Sequence, residues 1–191
     1  MNKNRLEAFS DGVVAIAITI MVLNLKIPRG TGWGEISAIA PLLFSYLLSF
    51  IYVGIYWVNH HHLIQPVRSV NGLILWANLH LLFWLSLIPF VTAWVSVDPS
   101  ASPPVAIYGT VLLMSSVAFM LLGKALLAKE GENSRLALAL GNGKKNHISI
   151  FFYVVAILLS LWNGVAGLVV YVVVAVFWFV PDRRIENLHW N

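Results

Sequence analysis

The sequence contains no cysteine, and only 10% of its 191 residues are Asp, Glu, Lys or Arg, against about 25% in an ordinary soluble domain. The first absence removes disulfides, thiolate metal sites and thiol nucleophiles, and leaves the redox compartment unreadable from cysteine usage. The second leaves too little charge to coat a globular fold in water. Long polar stretches are missing too. One sizeable polar linker, from Lys129 to Arg135 and on through Gly141 to His147, interrupts the apolar runs, and no length remains for a separate soluble domain. No internal repeat is visible.

What fills the chain is apolar: 59% of residues are hydrophobic and the mean hydropathy is +0.81. A bilayer core of roughly 30 Å takes about 20 apolar residues per helix. Six segments qualify, at 5–26, 36–58, 70–96, 102–128, 146–163 and 165–180. The expected fold is all-α, a single polytopic transmembrane domain over 1–191. Lys26 to Gly32 and Asp98 to Pro104 carry the Pro and Gly that end helices. Trp162-Asn163-Gly164 splits the last apolar run, because Asn and Gly accept turn geometry cheaply; without that turn there are five spans and the C-terminus changes side. Pro89 is expected to kink the third span. The first apolar run follows Asp11, is as long as a full span and lacks a small-residue cleavage site after it, so it reads as a retained helix.

Charge position then predicts orientation. With six spans and a cytoplasmic N-terminus, Lys3, Arg5, Arg68, Lys124, Lys129, Arg135, Lys144, Lys145, Arg183 and Arg184 lie inside, and only Lys26 and Arg29 outside. The positive-inside rule favours that arrangement. It predicts a multi-pass protein of the cell membrane with both termini in the cytoplasm.

The first segment runs from Arg5-Leu-Glu-Ala-Phe9-Ser10-Asp11-Gly12 into an apolar stretch ending at Leu23. Ionisable residues at a membrane boundary point to function by default. At about 100° per residue, Ile16, Ile20 and Leu23 share a stripe with Gly12 and Thr19 near it, and Asp11 points roughly 140° away from Ile16. Arg5 and Asp11 are not at helical-neighbour spacing, so each is expected to bond to another helix. The bland alternatives are that the aliphatic stripe faces lipid, that Arg5 snorkels, and that Ser10 and Thr19 bond their own backbone one turn earlier. An unpaired buried carboxylate is costly, so Asp11 needs a partner or water.

Arg5-x-x-x-Phe9-Ser10-Asp11, followed by Ala15-Ile16-Ala-Ile-Thr19, resembles the signature that opens the endosomal and lysosomal potassium channel family, transmembrane protein 175, in its short prokaryotic form. The likeness extends to six spans in about this length, an aromatic-rich second span ending Trp57-x-x-His60, and a third holding Asn78 and Pro89-Phe90. The resemblance implies a homotetramer whose first helices line a potassium-selective cation pore, with Ile16, Ile20 and Leu23 as hydrophobic constriction and gate and Thr19 implicated in selectivity. It implies that Arg5, Phe9, Ser10 and Asp11, with Trp57, His60 and Asn78, tie the pore helix to the second and third helices. No glycine-tyrosine-glycine filter string occurs in the chain.

His60-His61-His62 invites a metal reading, but adjacent helical residues point about 100° apart and cannot face one ion. No metal site and no cofactor are expected, potassium being the permeant ion. His60, at the inner end of the second span near Asp11, is instead a candidate for proton modulation. The partners expected are further copies of the chain, the lipid bilayer and K+, and no nucleic acid. The reading is a passive, non-enzymatic potassium channel. The competing reading is a proton-coupled secondary transporter or proton-permeable cation channel; the lack of internal repeats and of matched broken helices weighs against the transporter.

Overall fold

The protein is described by a computed structural model, which covers residues 3–28, 30–131, 134, 136–137 and 143–179. Arg29, Arg135, Arg183 and Arg184 lie outside the described residues. Among the described residues the regular structure is entirely helical: α1 (Lys3–Leu23), α2 (Gly34–Ile64), α3 (Gly72–Ser86), α4 (Ile88–Val97), α5 (Ser102–Glu130), α6 (Lys144–Trp162) and α7 (Gly164–Phe179). Five segments, α1, α2, the α3–α4 pair, α5 and α6, are long and apolar enough to cross a membrane, and α7 is a shorter apolar helix. The protein is thus a multi-pass membrane protein.

Local chemistry sets the breaks. Pro89 has no N–H, so the helical bond to Leu85 cannot form. The chain turns at Leu87, whose N–H bonds to the Trp84 carbonyl at 3.2 Å, and α4 restarts with Pro89 in its first turn. At Asn163 the backbone is extended (φ −151°, ψ 113°). The Asn163 N–H closes α6 on Leu159 O at 2.9 Å, and its side-chain oxygen accepts from the Val165 N–H at 2.9 Å, opening α7. One asparagine thereby caps both helices. Asp98 accepts from the Ser100 N–H at 2.9 Å and Oγ at 2.6 Å, bonds that hold its carboxyl below the usual carboxylate range. Pro103 and Pro104 then fall in the first turn of α5, where a missing N–H does no harm. Gly131 (φ 89°) ends α5 in a conformation that L side chains resist.

α5 is the most enclosed span and packs on α3, α4, α6 and α7. Around it sits a cluster of buried tyrosines, Tyr52, Tyr108, Tyr153 and Tyr171, whose rings meet at 5.7 to 6.4 Å. Buried phenols need partners. Tyr52 donates to Tyr171 O at 2.6 Å, Tyr171 to Val105 O at 3.3 Å, and the Tyr108 hydroxyl meets Ser49 Oγ at 3.0 Å. α1 lies at the edge of this core, to which it contributes Leu6, Val14 and Met21. It packs on α2, α3 and α4, and so only one side of it is covered.

Candidate pore-lining helix and its anchor

The covered side of α1 is Leu6, Ser10, Val14, Ala17 and Met21, spaced four, four, three and four residues apart as one helical stripe requires. Its N-terminal half is held by polar bonds. Asn78 Nδ2 on α3 donates to Ser10 Oγ at 3.0 Å, Ser10 donates to Leu6 O at 2.8 Å, and His60 Nε2 on α2 lies 2.8 Å from Asn78 Oδ1. The carbonyl at the end of this chain fixes its direction. Ser10 gives its one proton to Leu6, so Asn78 must donate to Ser10, which leaves Oδ1 facing His60 and makes His60 Nε2 a donor. All three side chains are buried.

Asp11 lies just off this stripe. Its Oδ1 accepts from Trp57 Nε1 at 2.9 Å, and the Trp57 indole stacks on His61 with ring centroids 6.5 Å apart. Lys3 Nζ reaches Gln65 O at 2.6 Å, a tie to the end of α2 that sequence spacing did not single out. Further along, Met21 meets α4, where Thr92 Oγ1 lies 4.0 Å from its sulfur and 2.6 Å from both Ile88 O and Ser49 Oγ. Thr92 was not singled out from sequence either; a hydroxyl three residues after Pro89, free to bond the carbonyl at Ile88, is the local signal that points to it.

The uncovered side carries Ile16, Thr19, Ile20 and Leu23, with the large aliphatics 61%, 45% and 76% exposed at Ile16, Ile20 and Leu23. Thr19 Oγ1 donates to Ala15 O at 2.8 Å. Its proton is therefore committed to the backbone, and what it presents outward is lone pairs, which suit a cation.

Of the seven residues grouped as an inter-helix network, the structure hydrogen-bonds five: Ser10, Asp11, Trp57, His60 and Asn78. Arg5 and Phe9 stand outside it. Both are exposed, and Arg5 forms no hydrogen bond or ion pair with any described residue. The physical reason is helical phase, since Arg5 points roughly 140° and Phe9 about 100° away from Ser10. The three histidines diverge as neighbours on a helix must. His60 is buried against Asn78, His61 is exposed over Trp57, and His62 Nδ1 is buried without a partner among the described residues. His80 accepts from Trp84 Nε1 at 3.0 Å within α3, apart from the anchor.

A family model for the endosomal/lysosomal potassium channel TMEM175 matches residues 5–89, the stretch that holds Ser10, Asp11, Trp57, His60 and Asn78 together with the exposed stripe. A potassium channel of Chryseobacterium sp. (strain P1-3) is 53% identical over 187 residues, covering 98% of this chain and 97% of that one. The endosomal/lysosomal proton channel TMEM175 of Homo sapiens is 36% identical over 83 residues, 37% of this chain and 16% of that protein. Among solved structures, the crystal structure of a lysosomal potassium-selective channel TMEM175 homolog from Chamaesiphon minutus superposes with a TM-score of 0.78 at 26% identity, covering 95% of this chain and 97% of the other.

Proposed function

The chain belongs to the TMEM175 family, a family of ion channels and not of enzymes, and on that footing we propose that it is a potassium-selective channel. It conducts passively through a pore formed by the α1 helices of four copies. Closed cyclic symmetry is the usual way for identical subunits to enclose a hole that one helix cannot. The observation that carries this reading is the division of α1 into a face bonded into α2 and α3 and a face left uncovered. Ser10, Asp11, Trp57, His60 and Asn78 hold the helix from behind, and Ile16, Thr19, Ile20 and Leu23 face the permeation path. The potassium-channel name of the 53% identical relative supports K+ as the permeant ion.

The side chains suggest how such a path discriminates. A ring of Ile16 is a narrow apolar neck in which an ion must shed water that the walls cannot replace, so the neck closes by dewetting and opens by widening. Potassium loses its hydration more readily than sodium. The outward lone pairs of Thr19 return part of the lost coordination just beyond. The positive-inside distribution of Lys and Arg supports cytoplasmic termini, with Asp11 at the cytoplasmic end of the pore in the cell membrane.

Bilayer recording of purified protein under K+/Na+ and pH gradients tests the reading, with the expected result unitary currents that reverse near the potassium potential. Saturable flux coupled to a proton gradient without unitary currents would sink it. Ile16→Asn should wet the neck, raising conductance or eroding selectivity, and the native mass of solubilised protein should be four chains. A reversal potential that follows the pH gradient instead would favour protons as the main permeant, the property named in the human relative.

A further inference from the structure

The uncovered stripe of α1 does not stop at the apolar run. Stepping back from Ile16 by four, three and four residues gives Gly12, Phe9 and Arg5, all within roughly 40° of Ile16 around the helix. All three are exposed, and a Cβ placed on Gly12 would meet nothing within 4 Å. Four charged side chains occupy the first turns: Lys3, Arg5, Glu7 and Asp11. Lys3 is bonded to Gln65 O and Asp11 to Trp57. Glu7 is half-buried and points roughly 160° away from Arg5. Arg5 alone carries charge on the stripe of Ile16, eleven residues and about 16 Å below it along the axis.

We infer that Arg5 lines the N-terminal mouth of the α1 pore, where its four copies set an electrostatic barrier that limits how fast cations enter from that side. This inference rests on the pore reading above and assigns the arginine to the permeation path, not to the anchor behind it. A ring of positive charge in a wide mouth acts through water, so its reach is the Debye length, about 10 Å at 0.1 M salt and about 3 Å at 1 M. At low ionic strength the ring lowers the local K+ concentration and hence the current fed from its own side. Current entering from the opposite end meets it only on leaving. The consequence is a rectification that disappears in high salt, a signature that packing alone does not produce.

Single-channel recording of Arg5→Gln, Arg5→Lys and Arg5→Cys tests it. In roughly 20 mM K+, Arg5→Gln should raise current from the N-terminal side about two- to threefold, with the gain gone near 1 M, while Arg5→Lys retains the parent behaviour. Because the chain has no cysteine, Arg5→Cys offers one thiol, and a cationic thiol reagent applied from that side should restore the barrier. Arg5→Gln currents equal to the parent at every salt concentration overturn the inference. So does loss of assembly in Arg5→Gln but not in Arg5→Lys, which would put the charge in a contact between subunits. Ile16→Asn separates the two readings: altered conduction there with an inert Arg5 leaves the pore in place, and unchanged conduction in both removes the pore from α1.

Discussion

Asn78 on α3 and Ser10 on α1 meet at 3.0 Å, and the direction of that bond is settled by a backbone carbonyl, because Ser10 already donates to Leu6. An asparagine with one oxygen and one nitrogen is the side chain that satisfies both the hydroxyl on one side and the imidazole on the other.

Asn78→Leu should therefore strand the buried His60 N–H and take from Ser10 the bond it accepts, while Ser10 keeps its own bond to Leu6 O. A buried donor left unpaired costs about 1–3 kcal/mol, so a marked fall in the thermal midpoint of the solubilised protein is expected. A midpoint within error of the parent would mean that the chain from His60 to Ser10 contributes nothing to holding α1.

Asp11 uses one oxygen toward Trp57, and a neutral amide offers the same acceptor. Asp11→Asn should keep assembly on size-exclusion chromatography, and Asp11→Ala should chiefly damage assembly or gating. Intact oligomers with normal currents in Asp11→Ala would deny the aspartate an anchoring role.

The glycines of α1 and α5 differ in what surrounds them. A Cβ on Gly109 would run into the Tyr171 hydroxyl and fall 2.9 Å from Ile157, where α5 meets α6 and α7 inside the tyrosine core. Gly109→Ala should destabilise by about 1–3 kcal/mol through overpacking, read as a lowered thermal midpoint. Gly12→Ala, with open space around it, should leave that midpoint unchanged; a drop of equal size in both variants would place Gly12 against a neighbour.

Thr19→Val keeps the shape of the side chain and removes its oxygen. Thr19 is exposed and bonds only its own helix, so stability should hold within about 0.5 kcal/mol, while the preference for K+ over Na+ in bi-ionic reversal potentials declines. Undiminished selectivity would take the Thr19 oxygens out of the path.

Much of this architecture was legible in the sequence because its causes are local. A run of about 20 apolar residues has few ways to satisfy its backbone other than as a spanning helix, and so the spans follow from hydropathy. The breaks at Pro89 and Asn163 follow from a missing N–H and from a side chain able to cap, properties each residue carries wherever it sits. Even the self-bonding of Ser10 and Thr19 needs nothing beyond one helical turn.

What required the tertiary structure was which side of α1 faces the protein. Read as a string, Arg5 through Asp11 looks like one functional unit. In three dimensions the string winds around a helix, and α3 covers Ser10 while Arg5 and Phe9 are carried to the far side with Ile16. Trp57 and Asn78 lie 46 and 68 residues from their partners Asp11 and Ser10, and nothing in the spacing says how α2 and α3 are rotated about their own axes. Sequence alone determined a bundle of apolar helices with a polar cluster at one end of the first. The packing of α2 and α3, which rotates their polar groups onto one face of that helix, decided which residues anchor it and which remain free to line a path.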